Sequence, residues 1–175
     1  FGDGFDHQYL PDGTSTGETI DIHDTGGLLQ ADGTYNGRTG MLWQVNVGGD
    51  NCLFEMDPVA KVVTGRKICG SWTANSQRAV AYDYSTDTYY VGGNNEATVY
   101  HIDGSGAVLD SKYVGLGMVG LAFNPSTRHL FALTEFAAPF EVWVLDTADD
   151  YNVLGGFVVT SGGSPVLQSE GINLE

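Results

Sequence analysis

The sequence predicts an all-β chain: a β-propeller of about four blades, each of four antiparallel strands, with three blades complete and one split between the termini. Three observations predict it. Nowhere in the 175 residues do apolar side chains recur at i, i+3, i+4 and i+7 for three turns, so almost no helix is expected. The chain also aligns with itself. RAVAYDYSTDTYYV from Arg78 matches VGLAFNPSTRHLFAL from Val119, and ADGTYNGRTGMLWQV from Ala31 follows the same pattern. Downstream of each copy a short strand ends on aspartate: LFEMD at Asp57, VYHID at Asp103 and VWVLD at Asp146, at intervals of 46 and 43 residues. Four strands in a unit of that length is the period of a propeller blade.

Each blade is read as strands a to d from the centre outward. Phe1 to Gly4 look like the tail of a strand b, FDHQYL is a strand c, and GETIDIHD is a strand d. The blade at about 31–70 has Tyr35 and Asn36 in the places of the repeated aromatic and Asp/Asn, but Asp32-Gly33 breaks its apolar strand a. The blade at 78–117 is the clearest copy. Its strand a is RAVAYDY, with Ala79 and Ala81 small enough for a crowded centre, and Tyr82 and Asp83 match Phe123 and Asn124 of the next blade. Strands b, c and d are DTYYVGG, TVYHID and AVLDSKYV, with a tight turn at Asp103-Gly104-Ser105-Gly106. The blade at 119–160 ends on YNVLGGFVV. EGINLE, 170–175, is a truncated fourth strand a that could complete the blade begun by 1–24. The whole chain, 1–175, then forms a single domain, either a closed four-bladed ring or an arc of a larger propeller.

GLGMVG, Gly115 to Gly120, has the spacing of a dinucleotide-binding loop. That reading needs a helix opening directly after the loop. Pro125 and the β-formers Leu130, Phe131 and Leu133 follow instead. GLGMVG is therefore expected to be the loop from strand d of one blade to strand a of the next, where glycine supplies unusual backbone angles.

Composition narrows the function classes. Seven basic residues against 22 acidic ones leave a net charge of −15, which repels a nucleic-acid backbone. No apolar run approaches the length of a membrane span. The chain starts at Phe1 without a signal peptide, and is read as a processed or excised piece, or as cut from something longer; its expected partners are a protein or carbohydrate ligand, with self-association or a larger parent chain as further options. Cys52 and Cys69 lie 17 apart, which is neither a zinc nor a C-x-x-C spacing. A disulfide within one repeat is the preferred reading, and buried free thiols the alternative. A disulfide would imply an oxidising, extracellular setting.

At LWQVNVGGDNCLFEMDP, TANSQRAVAYDYSTDTYYVGG and VGLGMVGLAFNPSTRHLFAL the chain resembles the β-propeller repeats of secreted bacterial proteins, some attached to subtilisin-like peptidases. The resemblance covers Ala31 to Val159. It implies an extracellular accessory or binding module. No catalytic residue carries over, because the peptidase motifs are not in this stretch.

No P-loop or H-E-x-x-H is present. His7 and His101 share one blade position, which suggests shared packing rather than metal binding. Asp3 and Asp6, Asp21 and Asp24, and Asp146, Asp149 and Asp150 form acidic turns that suggest calcium, although no complete EF-hand pattern occurs and turn aspartates explain most of them. The best candidate for function is a face. The d–a and b–c loops share one end of a propeller, and here they carry Asp50, Asn51, Trp72, Arg78, Asn94, Asn95, Glu96, Glu135 and Phe136. Carboxylates, amides and rings together can hold sugar hydroxyls or peptide groups. The competing reading is that these are solvated loops with Trp72 packed over a blade edge. The expected function is a secreted binding or scaffolding module for protein or glycan. The alternatives are a hydrolase or lyase using Glu96, Glu135, Asp50 or Arg78, and a purely structural part of a larger propeller.

Overall fold

The computed structural model describes residues 3–25, 29–134, 141–161, 164–165 and 171–172. Its first complete blade contains β3 (Leu29–Asn36), β4 (Met41–Val47), β5 (Leu53–Asp57) and β6 (Val62–Ile68), hydrogen-bonded in that order. The second contains β7 (Ala79–Asp83), β8 (Thr88–Gly92), β9 (Thr98–Asp103) and β10 (Val108–Tyr113). The third contains β11 (Met118–Asn124), β12 (His129–Thr134), β13 (Val142–Asp146) and β14 (Asn152–Phe157). All pairings are antiparallel. The N-terminal hairpin, β1 (Phe5–Tyr9) with β2 (Ser15–Asp21), supplies strands c and d of the split blade. A two-residue pair, β15 (Thr160–Ser161) with β16 (Ser164–Pro165), follows the third blade. The only helical segments among the described residues are single 3-10 turns at His23–Thr25 and Ser71–Ala74.

Four apolar clusters pack successive units against one another. Trp43, Val45, Trp72, Val80 and Tyr89 pack between the first and second blades. Ala81, Tyr90, Met118, Leu121 and Leu130 pack between the second and third. Val119, Leu133 and Val142 meet Ile172 on the far side of the third. Ile20 and Ile22 of the hairpin strand and its exit meet Met56 of the first blade. Gln30 and Gln44 fix the hairpin further, donating to Phe5 O at 2.7 Å and to Asp6 Oδ1 at 2.9 Å.

The repeated Asp or Asn is the residue that makes each turn. Between strands a and b, Asn36, Asp83 and Asn124 accept the N–H two residues ahead, from Arg38, Ser85 and Ser126, at 3.0, 2.8 and 3.0 Å. Between strands c and d, Asp57, Asp103 and Asp146 do the same to Val59, Ser105 and Ala148 at 2.8, 2.8 and 2.9 Å. This local bond bends the chain back and sets the period seen in the sequence. Three acidic turns also have partners: Asp3 bonds Phe5 N–H and His7, Asp21 bonds His23, and Asp150 pairs with Lys112.

Some expectations need correction. Only the first half of GLGMVG is a loop, because β11 begins at Met118 and Gly120 lies inside it. Asp3 and Gly4 form a bend rather than the end of a strand b, and Phe1 and Gly2 lie outside the described residues. His7 and His101 share a position but not an environment. His101 stacks on Tyr90 at 4.4 Å between ring centres and bonds Thr88 Oγ1 at 2.7 Å, whereas His7 is exposed beside Asp3. Burial lowers the pKa of His101, outweighing the nearby carboxylates Asp83 and Asp110.

Cys52 and Cys69 form a disulfide that joins the start of strand c to the end of strand d in the first blade. Removing it, as Cys52→Ala with Cys69→Ala, is expected to cost about 3 kcal/mol, the loop-closure value for a cross-link of this span. Urea unfolding of the two proteins measures it. An unchanged midpoint would mean that strand pairing alone holds that end.

Candidate functional site

The end of the ring carrying the b–c and d–a loops was the expected site, and its residues are largely spent on joining blades. Asp50 pairs with Lys67 and accepts Cys52 N–H at 3.2 Å. Burial raises its pKa, but the Lys67 ammonium and the Cys52 N–H outweigh that and hold the carboxyl below its usual range. Asn51 donates to Thr73 O at 3.0 Å. Trp72 is 1% exposed and donates from Nε1 to Gly106 O at 3.2 Å, so its ring is core rather than a surface platform. Glu96 accepts from buried Gln77 at 2.7 Å, from Tyr100 at 3.1 Å, and from Asn75. Arg78 closes its backbone N–H onto Gly92 O at 2.8 Å. Asn94 packs beside Gly117, where a Cβ would stand 2.3 Å from Asn94 Oδ1. Asn95 is exposed. Glu135 and Phe136 lie outside the described residues. The structure brings Asn51 to the Trp72 turn and Glu96 to Gln77. Asn51, Trp72 and Glu96 act as ties between loops.

The opposite end holds a concave site that the sequence reading did not reach. There the a–b turns of the three complete blades surround a cavity of about 740 Å³. Tyr35 and Arg38 come from the first blade, Tyr82 and Tyr84 from the second, and Phe123 and Pro125 from the third. Tyr35 and Tyr84 are 52% and 59% exposed, which is high for aromatic rings on one small mouth. Arg38 crosses from one turn to the next. It donates to Tyr84 O from Nε at 3.2 Å and from Nη2 at 2.8 Å, and stands 3.9 Å from the Asp87 carboxylate. Tyr82 donates its hydroxyl to Asp87 at 2.7 Å, and burial and that carboxylate both raise its pKa. Tyr89 lies below, pushed up to about 12 by burial, and its hydroxyl accepts from Asn36 at 2.8 Å.

Thr34 and Ala81 line the inner part of the cavity. Below them the axis is plugged by polar contacts between inner strands. Thr34 Oγ1 accepts Tyr82 N–H at 3.2 Å, and Asp32, one rung deeper, accepts Val80 N–H and Leu121 N–H at 2.9 Å each. The lining offers rings, a guanidinium and turn hydroxyls, but neither a carboxylate nor an imidazole. Such a surface can hold a ligand by ring contact and hydrogen bonds. The signal for this site in the sequence was the repeated aromatic before each Asp/Asn, which stands one residue before the end of each inner strand.

No protein-family model matches the chain, and no curated protein matches it. It is similar to the β-propeller domain of Cps50 (Swd1) from Myceliophteria thermophila, with a TM-score of 0.50 and 14% identity over 72% of this chain and 39% of that one. It is also similar to hydrazine synthase from Kuenenia stuttgartiensis, with a TM-score of 0.55 and 18% identity over 86% of this chain and 41% of that one. The chain thus spans about two fifths of each of those proteins. Identities this low speak for architecture alone, and with the three four-stranded sheets and the split blade they show the chain to be a β-propeller.

Proposed function

We propose that this propeller is an extracellular binding module that takes a glycan or a peptide at the aromatic mouth of its axis. The observation that carries the reading is the convergence of Tyr35, Tyr84 and Arg38, from turns more than 40 residues apart, on one open cavity. Exposed tyrosine faces pack against the apolar face of a sugar or a proline ring, and turn hydroxyls answer its polar groups. The disulfide supports an oxidising compartment, as does the resemblance to repeats of secreted bacterial proteins. Among the described residues no helix is long and apolar enough to cross a membrane.

The test is a glycan array and a proline-rich peptide panel, read with the wild type and with Tyr35→Ala/Tyr84→Ala. Both rings are exposed, so the double change should leave the fold intact. Binding is expected to fall at least tenfold, on the order of 1–2 kcal/mol for losing ring contacts of this kind. Binding that survives this change but is lost in Asn95→Ala/Glu96→Ala would move the site to the opposite end. Turnover of a bound glycan would instead favour the hydrolase or lyase reading.

A further inference from the structure

The inner edge of a propeller blade poses a problem that Asp32 solves. β7 pairs with β8 on one side only, so the N–H groups of Val80 and Tyr82 on its other edge point toward the axis. Buried N–H groups need acceptors. Asp32 is 3% exposed and stands on the innermost strand of the first blade. Its Oδ2 accepts Val80 N–H and Leu121 N–H at 2.9 Å each. Its Oδ1 accepts Gly33 N–H at 3.0 Å, and the N–H of Ile172 is a fourth donor to the same carboxyl.

These four donors are the same residue of the repeat. Counting back from the aromatic next to the end of strand a, Asp32 aligns with Ala79 and Gly120; EGINLE has no aromatic, and there Gly171 stands against both Asp32 and Gly120. Each donor is the next residue along: Gly33, Val80, Leu121 and Ile172. Every blade therefore contributes one equivalent backbone N–H to a single carboxyl. There is room for only one such side chain. A Cβ on Gly120 would lie 2.9 Å from Gly171 Cα and C and from Ile172 N. A Cβ on Gly171 would stand 3.1 Å from Asp32 Oδ1.

We infer that the centre of the ring is a carboxylate-binding site made of one backbone N–H from each of the four blades, and that Asp32 is its tethered ligand, the contact that locks the ring closed. The site is independent of the aromatic mouth. Freed of its side chain, it takes a small planar carboxylate from solution.

The experiment uses Asp32→Gly, which empties the site without adding a side chain. Its unfolding midpoint is measured in rising sodium formate and, at matched ionic strength, in a bulky carboxylate such as benzoate. The midpoint without formate is expected to fall by about 10 °C or more, as for loss of a buried, multiply hydrogen-bonded carboxyl group that leaves its N–H donors unmet in a chain of this size. Formate should restore it along a saturating curve that benzoate does not reproduce, while the wild type responds to both salts alike. An unchanged midpoint, or equal responses to formate and benzoate, would overturn the inference. If Asp32→Gly does not fold, the wild type decides. The amide protons of Gly33, Val80, Leu121 and Ile172 should move together in one pH titration by NMR. Four unrelated profiles, or none, would show that they share no common ligand.

Discussion

The stability of this protein, measured against that of Asp32→Asn, is expected to fall as pH rises from about 4 to about 7. Burial raises the Asp32 carboxyl to about 7 from its ordinary 3.8, while the N–H donors of Val80, Leu121, Gly33 and Ile172 pull it the other way. In that window the folded chain keeps the proton and the unfolded chain has released it. Unfolding therefore gives up a proton, and raising pH favours it. The contribution is complete below pH 3.8 and gone once pH has passed 7. Three units at 1.36 kcal/mol each make it about 4 kcal/mol. The groups bearing on the carboxyl are backbone donors of three other inner strands and its own, so subtraction of the Asp32→Asn curve isolates this titration. Denaturant titrations at half-unit pH steps measure it. A difference curve that rises across the same range would mean that the four donors outweigh burial and hold the carboxyl ionised well into acid.

Gly120→Val is expected to destabilise the fold by about 3 kcal/mol or more, although strand propensity alone points the other way. Valine is a better strand former than glycine, by up to about 1 kcal/mol. At this position the new Cβ would meet the backbone of Gly171 and Ile172 at 2.9 Å, and backbone cannot rotate aside as a side chain would. β11 and the Gly171–Ile172 segment must part. That breaks the 3.3 Å bond from Gly171 N–H to Val119 O and draws Ile172 away from Asp32. Overpacking plus unmet buried donors gives the stated size. Gly33→Ala is the control, because a Cβ there has only an ordinary contact, 3.6 Å to Trp43 O. Urea midpoints of the two variants measure the contrast. Equal, small effects would mean that the ring centre is looser than these distances imply.

The fold was legible because its period rests on local chemistry. Asp57, Asp103 and Asp146 recur since each bonds the N–H two residues ahead, and such turns need no distant partner. The strand ranges followed from alternation between those turns. The ligand face was harder to read, because the same residue types serve solvent, ligand and loop-to-loop bonds alike. Whether Glu96 faces a ligand or Gln77 depends on how two loops 19 residues apart dock. The aromatic mouth depends on three turns meeting, which no single repeat encodes. Trp72 shows the same limit, since a tryptophan beside a loop reads as a platform until its Nε1 finds Gly106 O. Asp32 was visible as a break in an apolar strand. Its role was hidden because the partners that justify it, Val80 and Leu121, stand 48 and 89 residues away.

Perfect fourfold symmetry is forbidden at this axis. Four identical repeats with aspartate at the position of Asp32 would crowd four carboxylates into space that takes one. Four with glycine would leave all four amides facing an empty centre. A consensus design averaged over the blades would erase the one difference that lets them close.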